Sequence, residues 1–113
     1  MPINPLKNRK LPRIKRQKKM TTAALKKEIA ARSSLSAGDV LSTMEELKAI
    51  IIENLQKGGS VETPLGTFLP SIRLDGTKRI QFIPKKELRR AVDGGFTGEI
   101  INRQSVGLNY DQL

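Results

Sequence analysis

The chain has no cysteine, no histidine and no tryptophan, and only four aromatic residues among its 113. Without cysteine there is no thiol nucleophile, no disulfide and no thiolate zinc site. Without histidine there is no imidazole general base, no Ser-His triad and no histidine-ligated metal. No glycine-rich phosphate loop replaces these groups, so the expectation is a protein without catalysis, metal, cofactor or small-molecule substrate. Apolar residues make up 37% of the chain. The core of a single copy should therefore be small and aliphatic, and dimerisation would enlarge it. No apolar run approaches the roughly 18 residues of a membrane-spanning helix. No apolar stretch follows the N-terminal charges, as a secretory signal requires. Pro2, Pro5 and Pro12 interrupt any amphipathic presequence helix there. Cytoplasmic residence without membrane contact is the expectation.

What the chain has in excess is positive charge. Lysine and arginine number 21 against 11 acidic residues, a net charge of +10. The excess is concentrated at one end. Residues 1–20 carry Lys7, Arg9, Lys10, Arg13, Lys15, Arg16, Lys18 and Lys19 with no acidic residue, so this segment is +8 and residues 21–113 only +2. A basic arm on a nearly balanced body suits a polyanionic partner, with phosphate contact through counterion release. The bland alternative is a solubilising tail.

Helical periodicity begins near Thr21, where Ala24, Leu25, Ile29 and Ala30 form one stripe. Ser36 followed by Asp39 has the form of a capping box and marks a second helix running to about Lys57. Val40, Leu41, Met44, Leu47, Ile51 and Leu55 fall at i, i+3, i+4 and i+7 spacing along it. Ile50 and Ile52 widen that stripe, which implies more than one neighbour, such as a partner chain. Gly58-Gly59 is a stop signal. The period then changes to two. Residues 61–63 read as a short strand, residues 64–66 as a turn, and residues 67–74 and 77–83 as a hairpin closed at Asp75-Gly76. Phe68, Ile72, Ile80 and Phe82 are placed on its buried face. Pro70, lacking a backbone donor, argues for an edge or a bulge there. Pro84 suits the start of a last short helix over residues 85–93, before Gly94-Gly95. Residues 96–113 show no period. The expected division is a flexible basic arm over 1–20, a folded domain over 21–93 and a tail over 94–113.

These strings, in this order, resemble the HU/IHF family of bacterial histone-like DNA-binding proteins. The resemblance rests on Leu-Ser-Ala-Gly-Asp-Val at residues 35–40, Gly58-Gly59-Ser60-Val61, and Leu65-Gly66-Thr67-Phe68. It ends with Phe82 and the run Lys85-Lys86-Glu87-Leu88-Arg89-Arg90-Ala91-Val92. It covers roughly residues 21–92. The basic extension and the Ser-Ser-Leu-Ser-x-Gly-Asp-Val string look most like the HU-like branch of Bacteroidetes.

The resemblance implies an α+β fold: a helical hairpin, a small antiparallel sheet with a β-hairpin, and a short C-terminal helix, assembled as an intertwined two-fold homodimer. Second helices would pack across the axis, with Val40, Leu41, Met44, Leu47, Ile51, Leu55, Phe68 and Phe82 in the interface. Lys86 and Arg89 match basic residues of the family that touch DNA backbone. Arg73, Lys78 and Arg79 are placed to meet phosphates beside the body, or else form a charged hairpin edge that resists aggregation. One departure stands out. The family's long β-ribbon carries an Arg-Asn-Pro-x-Thr-Gly tip whose proline wedges into a base step. Here only Leu74-Asp75-Gly76-Thr77 separates the strands, so sharp bending does not carry over.

The function implied is nucleoid-associated binding of double-stranded DNA, mainly through phosphates and with little sequence preference. The competing readings are a basic protein that binds structural RNA or the ribosome, and a protein-interaction module whose arm is only a tail.

Overall fold

A computed structural model describes residues 10–109 and 111. The described residues fall into two compact units. One is Met20–Gly95, and the other joins the residues that precede it to those that follow it.

The Met20–Gly95 unit opens with α1 (Thr22–Arg32), followed by α2 (Ala37–Gln56), β2 (Val61–Glu62), β3 (Gly66–Ile72), β4 (Lys78–Pro84) and α3 (Lys86–Gly94). Strand β1 (Arg13–Ile14) belongs to the other unit. Thr21 caps α1, its hydroxyl accepting the Ala24 N–H at 3.2 Å. The capping box of α2 is complete. Ser36 Oγ accepts the Asp39 N–H at 3.1 Å, and Asp39 Oδ2 accepts the Ser36 N–H at 3.3 Å. At the other end the Gly59 N–H reaches Asn54 O at 2.9 Å and the Gly58 N–H reaches Leu55 O at 3.0 Å. With Gly58 at φ 84° this is a Schellman stop, which a residue bearing a Cβ adopts only at a cost. Helix α2 is thus fixed at both ends by local chemistry before any packing is considered.

The sheet has the order β2-β3-β4, antiparallel throughout. Its entry turn is organised by Thr63, whose side chain is buried. Thr63 Oγ1 donates to Gly66 O at 2.8 Å and accepts the Leu65 and Gly66 amides at 3.1 and 3.2 Å. Gly66 lies so close to β4 that a Cβ there would collide with the Ile83 carbonyl and stand 2.8 Å from Pro84 Cα.

Three local expectations are corrected. The hairpin does not close on a two-residue Asp-Gly turn, which requires positive φ at both positions. Among described non-glycine residues only Asn102 has positive φ, so Asp75 cannot supply it. Instead the Gly76 N–H bonds to Arg73 O and the Arg73 N–H to Thr77 O, each at 2.9 Å. This is a three-residue loop with Gly76 at φ 89° as the bulge residue. Pro70 does not lie on an edge strand, because β3 is central. It is tolerated because β2 pairs only with Thr67 and Phe68, leaving Pro70 with β4 alone for a neighbour. Pro84 ends β4 rather than starting α3, whose cap is Lys85.

Helix α2 packs on α1, β2 and β3. Phe68 and Phe82 are register partners, with ring centroids 4.8 Å apart. Yet Val40, 2% exposed, is the only buried hydrophobic side chain among the described residues. Met44, Ile51, Leu55 and Phe68 are half-buried, while Leu41, Leu47, Ile50, Ile52 and Phe82 are exposed. The expected face of Phe68, Ile72, Ile80 and Phe82 forms in register, but in the single chain Ile72 and Ile80 are each 66% exposed.

The other unit is built from the ends of the chain. Strand β1 pairs antiparallel with β5 (Ile100–Ile101), and a short 3₁₀ helix (Arg103–Ser105) follows. The sequence assigns no period to either end. A two-residue ladder is too short to produce one.

Candidate nucleic-acid interface

The basic residues of α3 are sorted by helical geometry. At 100° per residue, Lys86, Arg89 and Arg90 share one arc, while Leu88, Ala91 and Val92 lie opposite. Lys86, Arg89, Arg90 and Asp93 line one open cavity of about 450 Å³. Among the described residues none of these three cations is held in an ion pair, whereas their neighbour Lys85 is tied to Glu62 at 3.2 Å. Arg90 was not singled out from the sequence. The i, i+4 spacing from Lys86 is the signal that finds it.

On the hairpin, register places Lys78 opposite Ile72 and Arg79 opposite Ser71. Strand alternation therefore points these two cations to opposite faces. Arg73 sits at the first position of the turn. Arg73, Lys78 and Arg79 are exposed and make no ion pair among the described residues. The Thr77 N–H donates to Asp75 Oδ1 at 2.9 Å. This bond, assisted by the Thr77 hydroxyl, holds the Asp75 carboxyl below its ordinary pKa. Leu74, at 111% exposure, is a fully solvent-exposed apolar tip. Beyond the part paired with β2, the hairpin extends by residues 69–72 on one strand. At ~3.4 Å per residue that is ~14 Å, about one groove width and too short to encircle a duplex.

Of the arm residues, Lys7 and Arg9 lie outside the described residues. Lys10, Arg13, Lys15, Arg16, Lys18 and Lys19 are all exposed. Among the described residues, Lys15 alone of these has an anionic partner, Glu99 at 3.4 Å.

The residues assigned to a dimer interface gather around a second kind of surface. Met44, Leu47, Ile51, Ile52, Leu55, Phe68 and Ile80 line an open apolar cavity of about 320 Å³ with Lys48 at its margin. Val40 lies inside the single chain instead, and Leu41 and Phe82 are exposed but do not line this cavity. Among the described residues no cluster of three or more His, Cys, Asp or Glu side chains is placed to hold a metal ion. No helix among them is long and apolar enough to cross a membrane.

Compared with known protein families, residues 4–98 match HU-HIG, described as an HU domain fused to a wHTH, Ig or glycine-rich motif. No curated protein matches the chain. The matched span contains both helices of the helical hairpin, the three-stranded sheet and the cationic arc of α3. By that match the chain belongs to the HU-HIG family and carries an HU-like domain.

Proposed function

We propose that this protein is a nucleoid-associated, histone-like homodimer that binds double-stranded DNA chiefly through phosphates. The observation that carries the reading is the arc of Lys86, Arg89 and Arg90. Three exposed cations and the single carboxylate of Asp93 face one open cavity, and among the described residues none of the three is held in a salt bridge. Phosphate oxygens are the complement such an arc lacks, and no side chain of the arc has the Asn or Gln chemistry that reads base edges. Arg73, Lys78 and Arg79 add exposed cations on the hairpin, Lys78 and Arg79 on its opposite faces, and the arm from Lys7 to Lys19 adds a further source of counterion release.

The homodimer is supported by the apolar surface of α2 and the sheet. A folded unit with one buried hydrophobic side chain has no adequate core of its own. A second copy, packing its α2 across the same surface, supplies one. The hairpin's limited reach and its Leu74-Asp75-Gly76 loop support binding with modest deformation of the duplex. The string at residues 33–40 and the basic extension support placement in the HU-like branch of Bacteroidetes.

The test is fluorescence anisotropy of a DNA duplex across a salt series, comparing the intact chain with Lys86→Gln/Arg89→Gln. Each phosphate contact contributes about −0.9 to the slope of log K against log salt. The double variant, present in both copies of a dimer, is expected to flatten the slope by up to about 3.6. An unchanged slope removes α3 from the interface. Preference for an RNA duplex of equal length would favour the RNA-binding alternative.

A further inference from the structure

The segment after Gly95 contributes no cation of the α3 arc or the hairpin, yet it is specifically built. Ile100 and Ile101 pair with Ile14 and Arg13, and the Lys15 N–H donates to Glu99 O at 2.9 Å. Asn102 then takes the left-handed conformation, φ 60°. That turn lets its side chain donate from Nδ2 to Leu11 O at 3.1 Å, across 91 positions of sequence. Its own carbonyl accepts the Ser105 N–H at 2.9 Å, starting the 3₁₀ turn that leaves Ser105 only 5% exposed. Five successive arm residues, Leu11 to Lys15, are thus spanned by main-chain or side-chain bonds to the C-terminal segment. Throughout, the cations Lys10, Arg13, Lys15 and Arg16 stay exposed.

We propose that residues 99–105 form a clasp that positions the basic arm for DNA, with Asn102 as its pivotal residue. This rests on the DNA-binding reading above. Two features favour positioning over charge neutralisation. The clasp holds main chain, leaving the cationic side chains unencumbered apart from Lys15, whose exposed pair with Glu99 is weak in water. Residues 96–113 carry Glu99, Arg103 and Asp111, a net charge of only −1. The segment adds no attraction for phosphate. What it contributes is order: an arm already extended loses less conformational freedom when it meets a polyanion.

Asparagine suits the pivot for two reasons. It tolerates positive φ better than most side chains, and its amide supplies the donor to Leu11. The two roles separate by substitution. Asn102→Gly keeps the backbone turn and removes the donor. Asn102→Val disfavours the turn and removes the donor together. Adding Ile101→Pro strips a residue of the two-residue ladder of its N–H and opens the clasp outright. None of these changes alters net charge, so electrostatics alone predicts no change in DNA affinity.

The experiment uses full-length chains. Hydrogen exchange at the Lys15 amide reports the clasp, and duplex anisotropy over a salt series reports binding. The intact chain is expected to protect Lys15. Asn102→Val/Ile101→Pro should lose that protection and bind duplex DNA about tenfold more weakly, the scale of ordering one backbone residue. Its salt slope should stay unchanged, because the same phosphates are still met. Asn102→Gly should keep most of the protection and most of the affinity. The proposal is overturned if the intact chain leaves the Lys15 amide unprotected, or if the double variant loses protection and binds as tightly or more tightly. If the intact chain protects Lys15 yet binds no duplex DNA at any salt, the DNA-binding reading itself is what fails.

Discussion

Replacing Leu47 by glutamate separates a self-sufficient monomer from a dimer that completes its core at the α2 surface. Leu47 is 45% exposed in the single chain and lines the apolar cavity with Ile51, Ile52 and Phe68. Glutamate keeps helix propensity close to that of leucine, so the substitution leaves α2 intact. On a monomer it is a surface change, within about ±0.5 kcal/mol. In a two-fold interface both copies lose the remaining burial of a leucine and each must desolvate a polar group. That costs about 3 kcal/mol per copy at least, and about 6 for the pair. The dimerisation constant should then fall by roughly four orders of magnitude. The intact protein provides an independent measure that needs no variant. For two Met20–Gly95 units, about 150 residues together, the entropy of unfolding is about 0.3 kcal/mol/K. Tenfold dilution of a folded dimer changes its free energy by about 1.4 kcal/mol, which lowers Tm by about 4–5 °C. Sedimentation equilibrium and a melting series over three decades of concentration read both effects. A Tm independent of concentration, together with a Leu47→Glu variant as stable as its parent, would refute the reasoning.

Other expectations follow from single contacts. Gly66→Ala should lower stability by about 2–3 kcal/mol in a thermal melt, because its Cβ has no room beside the Ile83 carbonyl and Pro84 Cα. Asp75 has a folded-state pKa below its unfolded one, so its contribution to the hairpin loop is fully present above the ordinary carboxylate range. That contribution fades as pH falls through the lowered value. The difference in Tm between the parent and Asp75→Asn should accordingly be constant near neutrality and shrink only once the pH falls below the ordinary carboxylate range.

Legibility in the sequence tracks how local each interaction is. The Ser36–Asp39 capping box and the Gly58-Gly59 stop are spelled out within a few residues, and both stand as read. The hairpin was found from alternation and Asp-Gly, but its loop type depends on whether Asp75 takes positive φ, which those two letters leave open. Pro70 reads from the sequence as an edge or a bulge; the register of β3 with β4 is unbroken, and edge character here depends on how far β2 reaches along β3 rather than on the strand order. Lys86 and Arg89 are legible through resemblance, whereas Arg90 joins them only once the helix is laid out. The contact between Asn102 and Leu11 was beyond any local rule, since its partners stand 91 residues apart.

That separation bears on the order in which the molecule comes together. The helical hairpin, the sheet and α3 each close between near neighbours in sequence, on the microsecond scale of helices and hairpins. Strand β1 leaves the ribosome first of all these elements but has nothing to pair with until Ile100 and Ile101 follow. At about 5–20 residues per second, translation alone keeps them apart for several seconds. During that interval the most cationic stretch of the nascent chain emerges without its clasp, beside the densest polyanion available to it, the ribosomal RNA. The β1–β5 ladder therefore forms only after every element of the Met20–Gly95 unit has been synthesised.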